Sequence, residues 1–363
     1  MINKVKRFYI LFIGVLLGGF AYGQDPAFSQ IFNNRVYLNP AFVGVDEGHR
    51  VALTHRNMWR TLPRHYVTTT ATYDFKPCAF PRIGLGLVAM SNTEGDGRLK
   101  STEGGFVFAV HNPFSFSRRR KDHTAGAISF ALQTTFISRS IDWDKLVFGD
   151  QLDPVMGVVL PKSAQVNPDI KPVNNVDFAA GFLWRQRLYI SKRMDMSMHL
   201  GAAIHHIFKP QEGLLVNGIM PKKLTVHGGV LIPLSKYNYI IPGFRYLGQN
   251  LQLSNHKVFD INAMYLNRKV FGGASYRINP VNYYFKQTDA VVFFAGYEFD
   301  LSKETSLRMT YSFDTNFKGV SSGNFFTHEI NIILFNLSKC RNDLAGLNKN
   351  ICDYQGKGVP KIF

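Results

Sequence analysis

The segment Gly319-Val320-Ser321-Ser322-Gly323 satisfies the G-x-S-x-G pattern in which a serine nucleophile is held on a sharp turn. That turn joins a strand to a helix; here both flanks read as strands, so a loop rich in turn-forming residues is the better reading. Gly84-Leu85-Gly86-Leu87-Val88-Ala89 matches the glycine pattern of dinucleotide binding, but no helix follows it and no strand-helix-strand unit surrounds it. Small residues in a tightly packed strand account for it. His199, His205 and His206 lack the spacing that sets two imidazoles on one face for zinc. Asp142, Asp144, Asp150 and Asp153 lack the calcium-loop spacing, since Leu146 stands where a ligand is required. Three cysteines make no metal-site pattern, but Cys340 and Cys352 stand twelve positions apart. A bridge between them would close a loop worth about 3 kcal/mol; Cys78 competes as a partner, and reduced thiols are the alternative. No catalytic residue, cofactor or metal is expected, and the chain reads as a non-enzyme.

The elements that would position any site are strands. From about residue 49 the chain becomes a series of stretches with period-two alternation, separated by Gly, Asn, Asp, Pro and Lys clusters. Leu307, Met309, Tyr311 and Phe313 make one apolar face, interleaved with Arg308, Thr310, Ser312 and Asp314. Val67, Ala71, Tyr73 and Phe75 alternate with Thr68, Thr70, Thr72 and Asp74 in the same way. Strands of soluble sandwiches run about five or six residues, whereas these run roughly nine to twelve, the length a tilted strand needs to cross a bilayer. Their centres fall near residues 53, 70, 87, 105, 130, 182, 201, 228, 244, 262, 273, 294, 309 and 332, fourteen in all. An even number suits an all-β, antiparallel up-and-down transmembrane barrel, because closure removes every strand edge.

Composition agrees with that class. Of 363 residues, 45% are apolar and 14% aromatic, with only 18% charged, which argues against disorder. Beyond residue 23 no run approaches the ~18 apolar residues of a helical span. Residues 1–23 read as a signal peptide: Lys4, Lys6 and Arg7 precede an apolar stretch from Phe8 to Phe20, and Ala21-Tyr22-Gly23 supplies the small residues a peptidase reads. The mature chain would start at Gln24, in an oxidising compartment. Its removal lowers the formal net charge of +17 by three. The remaining positive charge is scattered through the loops, which points to lipopolysaccharide, outer-membrane lipid or an acidic protein and not to nucleic acid.

Barrels of this kind have short periplasmic turns and longer outer loops. If the first strand runs outward, the periplasmic turns are 76–81, 112–122, 188–195, 233–237, 267–269 and 301–304, all short; the alternate connections include 139–175, 208–222, 278–288 and 315–326. The longest carries Trp143, Asp144 and Phe148. With apolar faces against lipid, Arg50, Thr54, Arg56, Asp74, Asp260, Asn262, Arg308 and Asp314 point into the lumen. Unpaired buried charge is costly, so these groups face water, pair with one another or meet a protein inserted in the barrel. The candidate partner-binding set is Arg50, Arg56, Asp74, Trp143, Asp144, Phe148, Arg308 and Asp314. After the last strand, residues 338–363 form a basic tail without strand periodicity, expected in the periplasm.

The opening Gln24-Asp25-Pro26-Ala27-Phe28-Ser29-Gln30, followed by Tyr37-Leu38-Asn39-Pro40-Ala41-Phe42-Val43-Gly44, resembles the start of the PorP/SprF family of the type IX secretion system. The resemblance continues through Arg56-Asn57-Met58-Trp59, Val176 to Gly181, His205 to Pro210, Gly296 to Asp300, Tyr311 to Asp314 and Thr327-His328-Glu329-Ile330. It implies an outer-membrane barrel of Bacteroidota that supports export and surface anchoring of secreted proteins bearing a type B C-terminal domain, gliding adhesins included. Periplasmic ring or lipoprotein components are further partners that the resemblance implies. Tyr37, Asn39, Pro40, Ala41, His328 and Glu329 carry the family pattern. The expected layout is a signal peptide at 1–23, an N-terminal segment at 24–45 plugging the periplasmic mouth or forming a platform there, a barrel at 46–337 and a periplasmic tail at 338–363. Both termini are then periplasmic. The rival reading is an outer-membrane porin or a channel for apolar solutes.

Overall fold

A computed structural model of the chain describes residues 25–46, 48–60, 65–95, 97–115, 125–153, 155–161, 163, 171–191, 194–211, 213, 218–235, 237–250, 255–278, 290–302, 304–316 and 326–336. The strands are β1 (His49–Met58), β2 (Tyr66–Phe75), β3 (Ile83–Glu94), β4 (Leu99–Ser115), β5 (Ala125–Ser140), β6 (Leu152–Asp153), β7 (Gly157–Val158) and β8 (Val173–Ser191). They continue with β9 (Met194–His205), β10 (Lys223–Pro233), β11 (Asn238–Asn250), β12 (Asn255–Asn267), β13 (Val270–Ile278), β14 (Ala290–Asp300), β15 (Thr305–Asn316) and β16 (Thr327–Asn336). Fourteen of them close one antiparallel barrel in sequence order, β1 pairing with β16 to seal it, while β6 and β7 form a small separate hairpin. The strand count and the barrel class are as the alternation predicts.

Each strand turns one face inward. In β1, Arg50, Ala52, Thr54 and Arg56 are buried, whereas His49, Val51, Leu53 and His55 are exposed. On β5, Leu132 is 66% exposed and its neighbour Ala131 only 4%. An apolar exposed face and a polar buried one invert the pattern of a soluble protein, which is what a hydrocarbon surround requires. The ten residues of β1 extend about 33 Å, or about 25 Å in height once tilted, enough for a bilayer core.

The sixteen paired positions of β4 and β5 exceed what a span needs. β4 runs on to Ser115, and β8 and β9 leave only 192–193 between them, so the turns expected at 112–122 and 188–195 are shorter than the sequence suggests. These strands continue past the lipid band because neighbouring ladders satisfy each other's backbone groups.

The near mouth is where β1 begins and β16 ends, His49 pairing with Asn336; the far mouth is at their other ends. Connections at the near mouth are short, and the long ones, including 141–172 and 206–222, lie at the far mouth. Aromatic rings collect at both levels: His49, Tyr73, Phe75, Tyr297 and Phe299 near, and Trp59, Tyr66, Phe178, Phe208, Phe313 and Phe326 far. Such girdles mark the two membrane interfaces.

Candidate functional site

The barrel interior is occupied by the chain's own residues 25–46. The segment contains a single helical turn, α1 (Arg35–Leu38), then one 3-10 turn at Pro40–Phe42. Asn39 caps that second turn by accepting from the Ala41 amide at 2.9 Å, and Pro40 supplies a preset φ at its first position. At Gly44 the backbone takes φ +68°, which lets the chain swing out toward β1.

Residues 31–45 are held by packing. Ile31, Val36, Leu38, Ala41, Phe42, Val43 and Val45 share a buried cluster with Val88, Val107, Ala109, Ala131 and Leu183 of the wall. The wall makes room with glycines. A Cβ on Gly84 would lie 2.2 Å from the Val43 carbonyl oxygen, and one on Gly181 2.2 Å from Asn39 Oδ1. The Gly84 to Ala89 string is therefore a recess for the inserted chain. Asn39 Nδ2 donates to the Phe182 carbonyl at 2.8 Å and sits 3.0 Å from His227 Nε2, while His111 Nε2 meets the Val43 carbonyl at 2.9 Å.

Residues 25–30 meet polar and charged groups of the wall. The Glu329 carboxylate accepts two successive backbone amides, Ser29 at 2.7 Å and Gln30 at 3.1 Å. Arg56 lies 3.3 Å from Glu329 and 3.4 Å from Asp314, with the Ser29 hydroxyl bonded to both Arg56 and Asp314. Arg245 and Arg277 flank Asp260 and both donate to the Phe28 carbonyl, at 3.2 and 3.3 Å. Between the two halves Arg50 joins Asp74 at 3.3 Å and donates to the Asn33 carbonyl at 2.6 Å. Asp74 in turn accepts the Gly44 amide at 3.2 Å, and Arg35 pairs with Asp46 inside the segment. Charges that would be costly alone in the lumen are thus neutralised pairwise and by the inserted backbone.

The segment's first residue is latched at the far mouth. Asp25 contacts Lys223, which opens β10, and lies 2.8 Å from His206, the residue after β9; His206 Nδ1 is 2.9 Å from Asp177. Burial pushes the His206 imidazole down, but the Asp25 and Asp177 carboxylates outweigh it and hold it up at about 9. Burial would raise the Asp25 carboxyl, and His206 and Lys223 instead hold it well below its ordinary value. Among the described residues, a gap of about 20 Å3 beside Phe28, Tyr37, Lys223 and Arg245 has room for about one water.

All eight lumen-facing residues named from the sequence are buried: Arg50, Thr54, Arg56, Asp74, Asp260, Asn262, Arg308 and Asp314. Arg308 pairs with Glu298 at 2.7 Å and stacks over Phe335. Trp143, Asp144 and Phe148 are elsewhere, in the β5–β8 connection at the far mouth, with Asp144 exposed and the two rings half-buried. The family-pattern residues divide. Tyr37, Asn39, Pro40 and Ala41 belong to the inserted segment, Glu329 faces it, and His328 faces outward against Tyr311 and Phe313. Sequence reasoning missed Asp25, Ser29, Gln30 and His206, and also Arg245 and Arg277, whose one signal was a charge within a barrel strand. Asp153 accepts the Val155 and Met156 amides and Asp150 the Ser163 hydroxyl, so both serve loop turns. Among the described residues no group of three His, Cys, Asp or Glu could hold a metal ion. The Gly319 to Gly323 string lies outside the described residues.

The described residues 25–46 lie inside the barrel, with Asp25 against Lys223 at the start of β10 and Asn33 against Arg50 of β1. Cys340 and Cys352 lie outside the described residues, but Cys78 is disulfide-bonded.

The sequence matches the family described as type IX secretion system membrane protein PorP/SprF over residues 20–334, taking in the inserted segment together with the barrel. No curated protein matches it. Among solved structures it is similar to the CymD monoaromatic hydrocarbon channel (TM-score 0.42, 10% identity, 87% of this chain and 93% of that one). A Pseudomonas aeruginosa FadL homologue gives TM-score 0.40 at 11% identity over 88% and 96%, and the P. putida toluene transporter TodX 0.40 at 10% over 86% and 94%.

Proposed function

The chain belongs to the PorP/SprF family of type IX secretion system membrane proteins, and from that premise we propose that it is a sealed, non-enzymatic outer-membrane component supporting export and surface anchoring of secreted proteins through their type B C-terminal domains. The short turns of the near mouth face the periplasm and its secretion machinery, as does the tail 338–363. The far mouth faces outward and receives the cargo.

One observation carries the reading: the lumenal charges are already used by the chain's own segment, which leaves the far-mouth connections as the surface a partner can reach. The β6–β7 hairpin there presents Val155 at 92% and Met156 at 80% exposure, with Leu152 and Val158 of the same hairpin also exposed. A contiguous exposed apolar patch on a loop outside the lipid band is the mark of a protein contact. Trp143 and Phe148, in the same connection, are half-buried. The test replaces Val155 and Met156 together by Ser in the full chain and follows display of the cognate secreted protein on cells. The barrel should fold normally while cargo is lost from the surface; undiminished display by this variant and by the deletion strain would overturn the proposal.

A further inference from the structure

We propose that the outward face of β15, β16, β1 and β2, just inside the far mouth, binds the phosphate- and carbonyl-bearing head region of a lipopolysaccharide molecule. That the far leaflet is the outer, glycolipid one rests on the orientation proposed above.

Two sectors of the outer wall carry different chemistry. On β4, β5 and β8 the outward face presents Phe106, Phe130, Leu132, Phe136 and Phe182, all exposed, as hydrocarbon requires. On β1 the same face begins with Val51 and Leu53 but continues with an exposed His55. β2 sets the exposed Thr69 directly opposite that histidine. On the other side of β1 the outward face of β16 bears His328, and Tyr311 of β15 stands beside it at 47% exposure. Side chains that hydrogen-bond are costly against lipid tails unless something there receives them.

The two imidazoles are arranged alike. His55 Nδ1 lies 3.0 Å from the Thr69 hydroxyl, and His328 Nδ1 lies 2.7 Å from that of Tyr311. Each hydroxyl fixes a ring and leaves its Nε2 without a partner among the described residues. In a neutral ring whose Nδ1 accepts from the hydroxyl, Nε2 carries the proton and donates. Both rings therefore call for an oxygen acceptor from outside the chain.

Depth identifies the acceptor. His328 is one position and His55 three positions inside the far ends of β16 and β1, which is about 3–10 Å along the strands. Both lie below the Trp59–Tyr66 ring pair at the interface. Acyl carbonyl and hydroxyl oxygens occupy that level, beneath the headgroup. Above the rings, Arg60 is exposed, and its backbone amide is tied to the Phe326 carbonyl across the same seam. A cation over two donors matches the order of phosphate over carbonyl in a phosphorylated glycolipid.

The experiment purifies the folded full-length barrel from native outer membranes in mild detergent and counts bound lipopolysaccharide and phospholipid by native mass spectrometry. His55→Leu with His328→Leu should fold, since leucine suits a lipid face, and should retain about fivefold less lipopolysaccharide, the effect of about one lost hydrogen bond. Glutamine at both positions keeps a donor and should retain most of it. Thr102→Leu with Thr134→Leu, on the outward face of β4 and β5, should change nothing. A wild-type barrel free of lipopolysaccharide, equal retention by the leucine variant, or equal loss in the threonine control would overturn the site. Orientation is read separately, from labelling of Val155→Cys on intact cells by a membrane-impermeant maleimide. Loss of phospholipid in place of lipopolysaccharide would overturn the glycolipid assignment, and an unlabelled Val155→Cys would trace that failure to the orientation.

Discussion

Residues 31–45 and residues 25–30 are neighbours in one inserted segment, yet the barrel holds them by different physics. The first stretch is apolar and fits recesses left by glycine, so its binding depends on shape and on area removed from water. The second is bound largely through its backbone, by arginines converging on the Phe28 carbonyl and a carboxylate receiving the Ser29 and Gln30 amides. Packing dominates the first stretch, and charged groups dominate the second. A lumen designed only as a wet pore would need neither.

The largest effect should come from the charged sector. Arg56→Ala leaves Glu329 and Asp314 buried without their shared cation, which costs about 3–5 kcal/mol for a broken buried pair. Unfolding of the purified barrel in urea measures it, and Arg56→Lys should recover only part, because a point charge cannot bridge two carboxylates and Ser29 as a guanidinium does. In the packed sector, Gly84→Ala drives a methyl into the Val43 carbonyl, an overpacking cost of about 1–3 kcal/mol. Gly104→Ala on β4, with open space around its added methyl, should stay within about 0.5 kcal/mol. Equal costs at Gly84 and Gly104 would mean that the glycine recess does not hold the segment.

How far the sequence reaches divides along the same line. Fourteen strands were legible because period-two alternation over nine or more residues has one reading when the exposed face is apolar and the connections alternate short and long. Arg50, Arg56, Asp74, Arg308 and Asp314 were legible as lumenal for the same reason, since register fixes which face each side chain takes. Their partners were not. Ser29 and Glu329 are 300 positions apart, and no local pattern links them. The two arginines on the Phe28 carbonyl read a main-chain atom, which leaves no trace in residue type. The segment 25–46 has neither a strand nor a helical period, because its conformation is imposed by the cavity around it; its turn-forming residues showed that it was not a strand, but not which way it ran.

Residues 25–46 occupy the lumen of the barrel that the same chain forms. Ion conductance of the purified full-length barrel in a planar bilayer, with its folded state checked by gel mobility, tests whether they seal it. No steady conductance is expected from the intact protein. A stable, stepwise open-pore current from the folded full-length barrel would contradict it and return the weight to the channel reading.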